Sequence, residues 1–362
     1  MLQEKIARIQ SHLVSEQQDY LLIGNFNHQI QDDLLYWLLL ETLEYGIMLI
    51  PQVGKPILFA IPFEINGLMH KREQFIDILP GNKPIDELLR DSIGDDKKTI
   101  AIHLAAFPAL QTNKLSNLSS LIIQDFTGQS IIREQKLPKE IERLQQAAKL
   151  TDIIFSELLA CWHDCYTEAD VANSLLCLMA ERGVEPSFPP IVASGKNAAN
   201  PHHHPAYKPL QRGFCVIDFG VRFKGYCSDM TRTIYLGTPD EEEKSLYLTL
   251  LKAQEKTIEK IMPKTSISEL DMYCREELGK ELSENFIHSL GHGIGTQVHE
   301  LPAVNKKSTA LLQEHMIITI EPGIYVTDMY GMRIEDDVLV TETGYQILTK
   351  SEKTLIKMNY RE

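Results

Sequence analysis

The chain has 362 residues and a formal net charge of −14, from 50 acidic against 36 basic residues. That length exceeds what one hydrophobic core usually fills, so two domains are expected. The acidic excess argues against nucleic acid or an anionic membrane as the partner, since neither would meet a positive footprint, and leaves small molecules or peptides as the substrate class.

The opening MLQEKIARIQSHLVSEQQ sets Ile6, Ile9 and Leu13 at helical spacing among charges, which predicts an amphipathic surface helix rather than a signal peptide. Apolar runs such as Leu34 to Leu40 fall short of the ~18 residues of a membrane span. A cytoplasmic location is the expectation. Short apolar runs follow at Tyr20 to Ile23, Ile47 to Ile50, Ile57 to Ile61, Thr99 to His103 and Leu121 to Ile123, with turn signals at Gly54, Pro80 to Gly81 and Gly94 to Asp96. Their alternation with amphipathic helices predicts a smaller N-terminal α/β domain around a mixed sheet, spanning 1–133.

A second domain, 134–362, is expected to begin with a helix entered at Pro138, whose fixed φ suits a first helical turn. Thr167 opens another, as an N-cap hydroxyl ahead of Glu168 and Asp170. Beyond Gly183 the pattern turns strand-rich, interrupted by helices over Glu241 to Met262 and Ile267 to Leu282, so this part reads as α+β. The cysteines Cys161, Cys165, Cys177, Cys215, Cys227 and Cys274 form no CxxC pair, which points to reduced thiols rather than a disulfide framework or a structural zinc site.

Asp218 ends the apolar run FCVIDFG, where ionisation is opposed unless a cation or hydrogen bonds compensate; the plainer alternative is a turn or cap residue. Asp229 follows a turn at Lys224 and Gly225, so a hairpin returns it towards Asp218, and two close carboxylates call for a divalent metal; the alternative is an ion pair with Arg232. His292 lies between glycines in SLGHGIGTQVHE, with His299 seven residues on, and no HExxH is present. Glu321 ends the strand-like MIITI, and Glu335 alternates with Arg333 and Asp337 in MRIEDDVLV; sheet-edge ion pairs are the alternative for both. Four carboxylates and one histidine make an oxygen-rich set that suits two divalent ions, Mn, Co or Fe better than Zn. Two such ions can share a hydroxide and make it a nucleophile near neutral pH.

In order and spacing, VIDFG, YCSDMTRT, GHGIG with VHE, EPGIY and MRIEDD resemble the methionine aminopeptidase, prolidase and aminopeptidase P superfamily of the pita-bread fold, over roughly residues 138 to 350. The resemblance implies a C-terminal pita-bread catalytic domain that hydrolyses the Xaa-Pro bond, in dipeptides or at the N-terminus of short peptides, within a homodimer. It implies metal ligation by Asp218, Asp229, His292, Glu321 and Glu335, with Asp229 and Glu335 bridging. Glu321 would also take the proton of the attacking water. His202, in ASGKNAANPHHHP, and His299 would bind the substrate carbonyl, and Arg333 matches the arginine of the proline-specific branch, where it would act near the substrate carboxylate or the catalytic histidine. His203 and His204 are the neighbouring candidates for the role of His202, and a metal-binding tract is the competing reading of all three. Two relatives of other chemistry share the layout: metal-free pita-bread interaction modules and creatinase-type C–N hydrolases. The sequence departs from the usual pattern at Thr296 and Gln297, before VHE, at Pro190, and in QDYLLIGNFNHQIQDDLLYWLL.

Overall fold

A computed structural model describes residues 1–26, 31–72, 74–94, 96–128 and 131–360. Residues 27–30, within the departing N-terminal stretch, and 95, in the turn expected at Gly94 to Asp96, lie outside the described residues. Contacts divide the chain into Met1–Arg133 and Glu134–Glu362.

In the first unit a six-stranded mixed sheet runs in the order Asp77–Pro80, Ile57–Ala60, Gly46–Pro51, Tyr20–Asn25, Lys98–Ile102, Leu121–Asp125. Five of these strands match the expected apolar runs. Asp77–Pro80 was not foreseen, because a four-residue edge strand ending in proline carries little periodic signal. The helix Leu2–Ser15 buries Ile6, Ile9 and Leu13 as its spacing requires.

The second unit is built on two larger sheets, each backed by a pair of helices, with a small three-stranded sheet of Tyr226–Cys227, Val221–Phe223 and Glu185–Pro186 and a two-stranded hairpin beside them. The sheet Lys357–Met358, Met230–Leu236, Gly213–Phe219, Ile191–Ser194 shares a core with the helices Pro138–Ala160 and Glu168–Glu181 through Phe155, Leu158, Leu175, Ile217 and Ile234. The sheet Glu300–Val304, Gly291–Gly293, Ile317–Ile320, Asp336–Thr341, Gly344–Ile347 is backed by Glu241–Ile258 and Ile267–Ser283 through Leu250, Leu270, Ile318 and Val338. Each fully buried Leu or Ile in these interfaces contributes roughly 1.5–3 kcal/mol.

Local signals act as expected at both helix starts. Pro138 takes the first turn of its helix, and Thr167 and Asp170 exchange side-chain-to-backbone hydrogen bonds at 3.1 and 2.7 Å. The helix from Glu241 stops at Ile258, earlier than Met262, and the one from Ile267 is interrupted at Gly279, whose φ of 75° no other residue adopts cheaply. MRIEDDVLV is two strands rather than one: Tyr330–Arg333 closes a hairpin with Gly323–Val326, and Asp336–Thr341 joins the five-stranded sheet. Glu335 sits at the step between them. No helix among the described residues is long and apolar enough to cross a membrane.

Candidate metal centre

Antiparallel pairing of Gly213–Phe219 with Met230–Leu236 sets Asp218 opposite Thr231, and Glu335 N–H donates to Thr231 O at 3.1 Å, which ties the two sheets together at that point. Glu321 N–H donates to Leu290 O at 2.8 Å, beside the strand that carries His292. Gly291 is required there, because a Cβ would meet Thr319 O at 2.0 Å. Together these ties bring Asp218, Asp229, His292, Glu321 and Glu335 into one region. One ligand-capable atom from each of Asp229, His292 and Glu335 lies within 4.8 Å of the others.

Asp229 and Glu335 are 5% and 2% exposed. Burial and the mutual repulsion of Glu335, Asp218 and Glu321 push the Asp229 carboxyl well above its usual range, and Glu335 rises likewise through burial and through Glu321 and Asp218. Glu321 is pushed up to about 8, by burial and Asp218 against the pull of Arg333. Burial lowers His292 to about 4, so it is neutral at pH 7. Its Nδ1 lies 3.0 Å from Gly293 O, which only accepts, so Nδ1 carries the proton. The bare Nε2 then faces Glu321 at 3.5 Å and Asp229 at 3.7 Å. Such a cluster holds together only with shared protons or with a cation among the oxygens and the nitrogen. Asp218 Oδ1 and Asp229 Oδ1 are also buried without a protein hydrogen-bond partner. The set fits divalent ions on this chemistry, with oxygen donors and a correctly protonated imidazole.

Arg333 is 4% exposed, and each of its three guanidinium nitrogens donates a hydrogen bond. Its Nη2 donates to Asp218 Oδ2 at 2.6 Å, Nη1 to Tyr325 Oη at 2.6 Å, and Nε to Thr231 Oγ1 at 3.0 Å, while Thr231 donates to Glu335 Oε2 at 2.6 Å. Arg232 serves a different cluster: it pairs with Asp336 at 2.7 Å rather than with Asp229.

A histidine that the sequence reading passed over joins the site. His288 Nδ1 is 2.8 Å from Ser289 O and therefore protonated, leaving Nε2 to accept from Tyr325 Oη at 3.1 Å. Burial, with Arg333 next, lowers His288 to about 4, and His202 is among the charges that it feels. Arg275 holds its loop by donating to Phe286 O at 2.6 Å and His288 O at 2.8 Å. The available signal was its position four residues before His292.

His202 and His299 are both exposed, and the His299 ring stands edge-on to His292 with centroids 4.4 Å apart. His203 is turned away into a buried carboxylate: its Nε2 is 2.8 Å from Glu168 Oε2, which also accepts from Ala206 N–H at 3.0 Å. Glu168 Oε1 takes Ser194 N–H, Ser194 Oγ and Asn197 Nδ2 at 2.7 to 2.9 Å. His203 therefore ties down the loop that presents His202, and His204 remains exposed. The six cysteines are free thiols, and none belongs to the ligand-capable cluster.

The family model for metallopeptidase family M24 matches residues 142–342, more than half of the chain. A Xaa-Pro dipeptidase of Pyrococcus furiosus is 40% identical over 229 residues, 62% of this chain and 66% of that protein, so the match spans just under two thirds of the relative's length. Among solved structures, a Xaa-Pro dipeptidase from Bacillus anthracis superposes with a TM-score of 0.89 at 29% identity, covering 99% of this chain and 100% of that one. An X-Pro aminopeptidase from Thermotoga maritima gives 0.86 at 30% identity, over 94% and 98%. The two helix-backed halves around the carboxylates are the pita-bread fold that the motifs implied, and the chain belongs to metallopeptidase family M24.

Proposed function

We propose that the chain is a two-metal peptidase of the Xaa-Pro bond, acting on dipeptides and on the N-terminus of short peptides. The observation that carries this reading is the buried confrontation of Asp229, Glu335 and the bare Nε2 of His292, with the partnerless oxygens of Asp218 and Asp229. Asp218, Asp229, His292, Glu321 and Glu335 would hold the ions. Bound there, divalent ions, Mn foremost, would polarise the scissile carbonyl and lower the pKa of water.

Glu321 accepts the proton of the attacking water and passes it on towards the leaving nitrogen. His202 and His299 reach the substrate from the solvent side and donate to the oxygen that gains charge. Arg333 acts through its partners, orienting Asp218 and setting the Tyr325 hydroxyl so that it donates to His288. The Xaa-Pro preference is supported by the names of the similar proteins and by Arg333, His202 and His299 together. A cytoplasmic location and a homodimer accompany the reading, the latter tested by light scattering.

The test is turnover of Ala-Pro and Ala-Pro-Ala by Mn-loaded protein. Release of proline, or of alanine from the tripeptide, is expected, and their ratio separates dipeptidase from aminopeptidase use. No turnover of either series after metal loading, or protein that retains no ions, would overturn the reading in favour of a metal-free scaffold or a creatinase-type hydrolase.

A further inference from the structure

His299 is exposed, and its place is fixed by the residue after it. Glu300 points inward, with a side chain 2% exposed, and Lys136, also 2% exposed, donates to its Oε2 at 2.7 Å. Oε1 accepts from Thr296 N–H at 3.0 Å, Thr296 Oγ1 at 3.2 Å and Gln297 N–H at 3.1 Å. Outside the turn, Arg222 donates to Thr296 O at 2.7 Å and Cys227 N–H to Gly295 O at 2.8 Å. Gly295 is needed for closure, because a Cβ there would lie 2.3 Å from Glu300 Oε2. Lys136 is itself anchored by its N–H donating to His315 O at 2.9 Å. Residues 295–300 are thus wound around one buried ion pair, and His299 is the residue that the winding delivers to the site.

A buried ion pair is a poor way to stabilise a turn, since desolvation offsets the attraction and apolar residues of the same volume do as well. What it supplies, when every lone pair is used, is one geometry. We propose that Glu300, neutralised by Lys136, is a positioning residue for His299, holding that imidazole where the substrate oxygen gains charge. This rests on the peptidase reading above. Thr296 belongs to the same device, because its hydroxyl gives Glu300 a donor that an aliphatic side chain would lack.

A donor displaced by about 1 Å costs roughly 10²-fold in rate. The loss falls on kcat, because an oxyanion contact is made in the transition state and not in the ground state. Metal-loaded wild type, Glu300→Gln, Thr296→Val, His299→Ala and the double variant Glu300→Gln/His299→Ala are compared on Ala-Pro, with metal content measured for each. The expected result is that Glu300→Gln lowers kcat about 10- to 100-fold with KM within about twofold and metal content unchanged. The double variant then does no worse than His299→Ala. Effects that multiply in the double variant, or a loss confined to KM, would overturn the inference. The His299 imidazole signals, followed by NMR in protein loaded with diamagnetic Zn and without substrate, are expected to shift in both Glu300→Gln and Thr296→Val. Unmoved signals overturn the inference whatever the substrate, whereas a wild type inert on Xaa-Pro peptides overturns only the proposed function. Thr296→Val, which removes one donor and no charge, carries the same tests should Glu300→Gln not fold.

Discussion

Glu335 and Asp336 are consecutive, both sealed from solvent at 2% and 0% exposure, and opposite in character. Asp336 faces the back of the sheet, where Arg232 and Thr349 donate to one oxygen at 2.7 and 3.0 Å and Gln254 and Lys353 to the other at 2.8 and 2.9 Å. Burial would raise its pKa, but Arg232 and Lys353 outweigh it and hold the carboxyl below its usual value. Glu335 faces the front, where Thr231 donates one hydrogen bond and the other neighbours include Asp229, Asp218 and Glu321. The alternation of an extended chain makes this possible. A buried carboxylate ringed by donors is architecture. One ringed by carboxylates is ready to hold a cation.

Substitutions on the two faces should separate these roles. Glu335→Ala is expected to remove activity on the order of 10³-fold or more, with loss of bound metal and a retained fold, since several kcal/mol of transition-state stabilisation depend on the ions. Near-normal turnover by that variant would refute the ligand assignment. Asp336→Asn should do the reverse: metal per folded molecule unchanged, but stability to urea lowered by about 3–5 kcal/mol, because Arg232 is left buried without its counter-charge. If Asp336→Asn proved as stable as wild type while losing its ions, the two faces would not be distinct.

Smaller effects refine the comparison. Arg333→Lys keeps the charge but cannot reach Asp218, Tyr325 and Thr231 at once, so kcat should fall about 10- to 100-fold with the ions retained; metal analysis alongside kinetics checks this. The smallest effect concerns protons. In metal-free protein Glu321 titrates near 8 instead of its usual 4.5, while His288 and His292 titrate near 4 instead of 6.5. A raised carboxyl stabilises the fold only while protonated, so its contribution is lost as pH climbs from 4.5 through 8. Lowered histidines oppose this only below 6.5, where the unfolded chain binds their protons. Asp229 and Glu335, raised as well, act with the same sign, so between about pH 6.5 and 8 the stability of metal-free protein should decline by at least on the order of 1 kcal/mol, and metal-loaded protein should not follow it. Equal slopes with and without metal, in parallel denaturation series, would contradict the assignment of Glu321.

The front face was largely legible in the sequence and the back face was not. Asp218, Asp229, His292, Glu321 and Glu335 stand at strand ends or glycine turns in short motifs, so local context marks each of them. The partners of Asp336 are scattered across Arg232, Gln254, Thr349 and Lys353, and Lys136 lies 164 residues from Glu300, so only folding reveals who neutralises whom. Asp229 illustrates the limit, because proximity in sequence suggested Arg232 and the sheet instead gives that arginine to Asp336. His288 was missed since a single histidine in NFIHSLGHG has no local feature beyond its spacing from His292. The strands of the first unit showed in their apolar runs, except for the short edge strand.

The step at Ile334 and Glu335 also governs where the chain tolerates extra length. Between Gly323–Val326 and Tyr330–Arg333 the hairpin tip Thr327, Asp328 and Met329 is exposed, and the pairing of Gly323 with Arg333 through Val326 with Tyr330 fixes register below it. A tag or reporter peptide inserted at the tip leaves every paired residue in place. A single residue inserted after Arg333 that slipped the strand by one would exchange the faces of Glu335 and Asp336, taking Asp336 away from its four donors and Glu335 away from the carboxylate cluster.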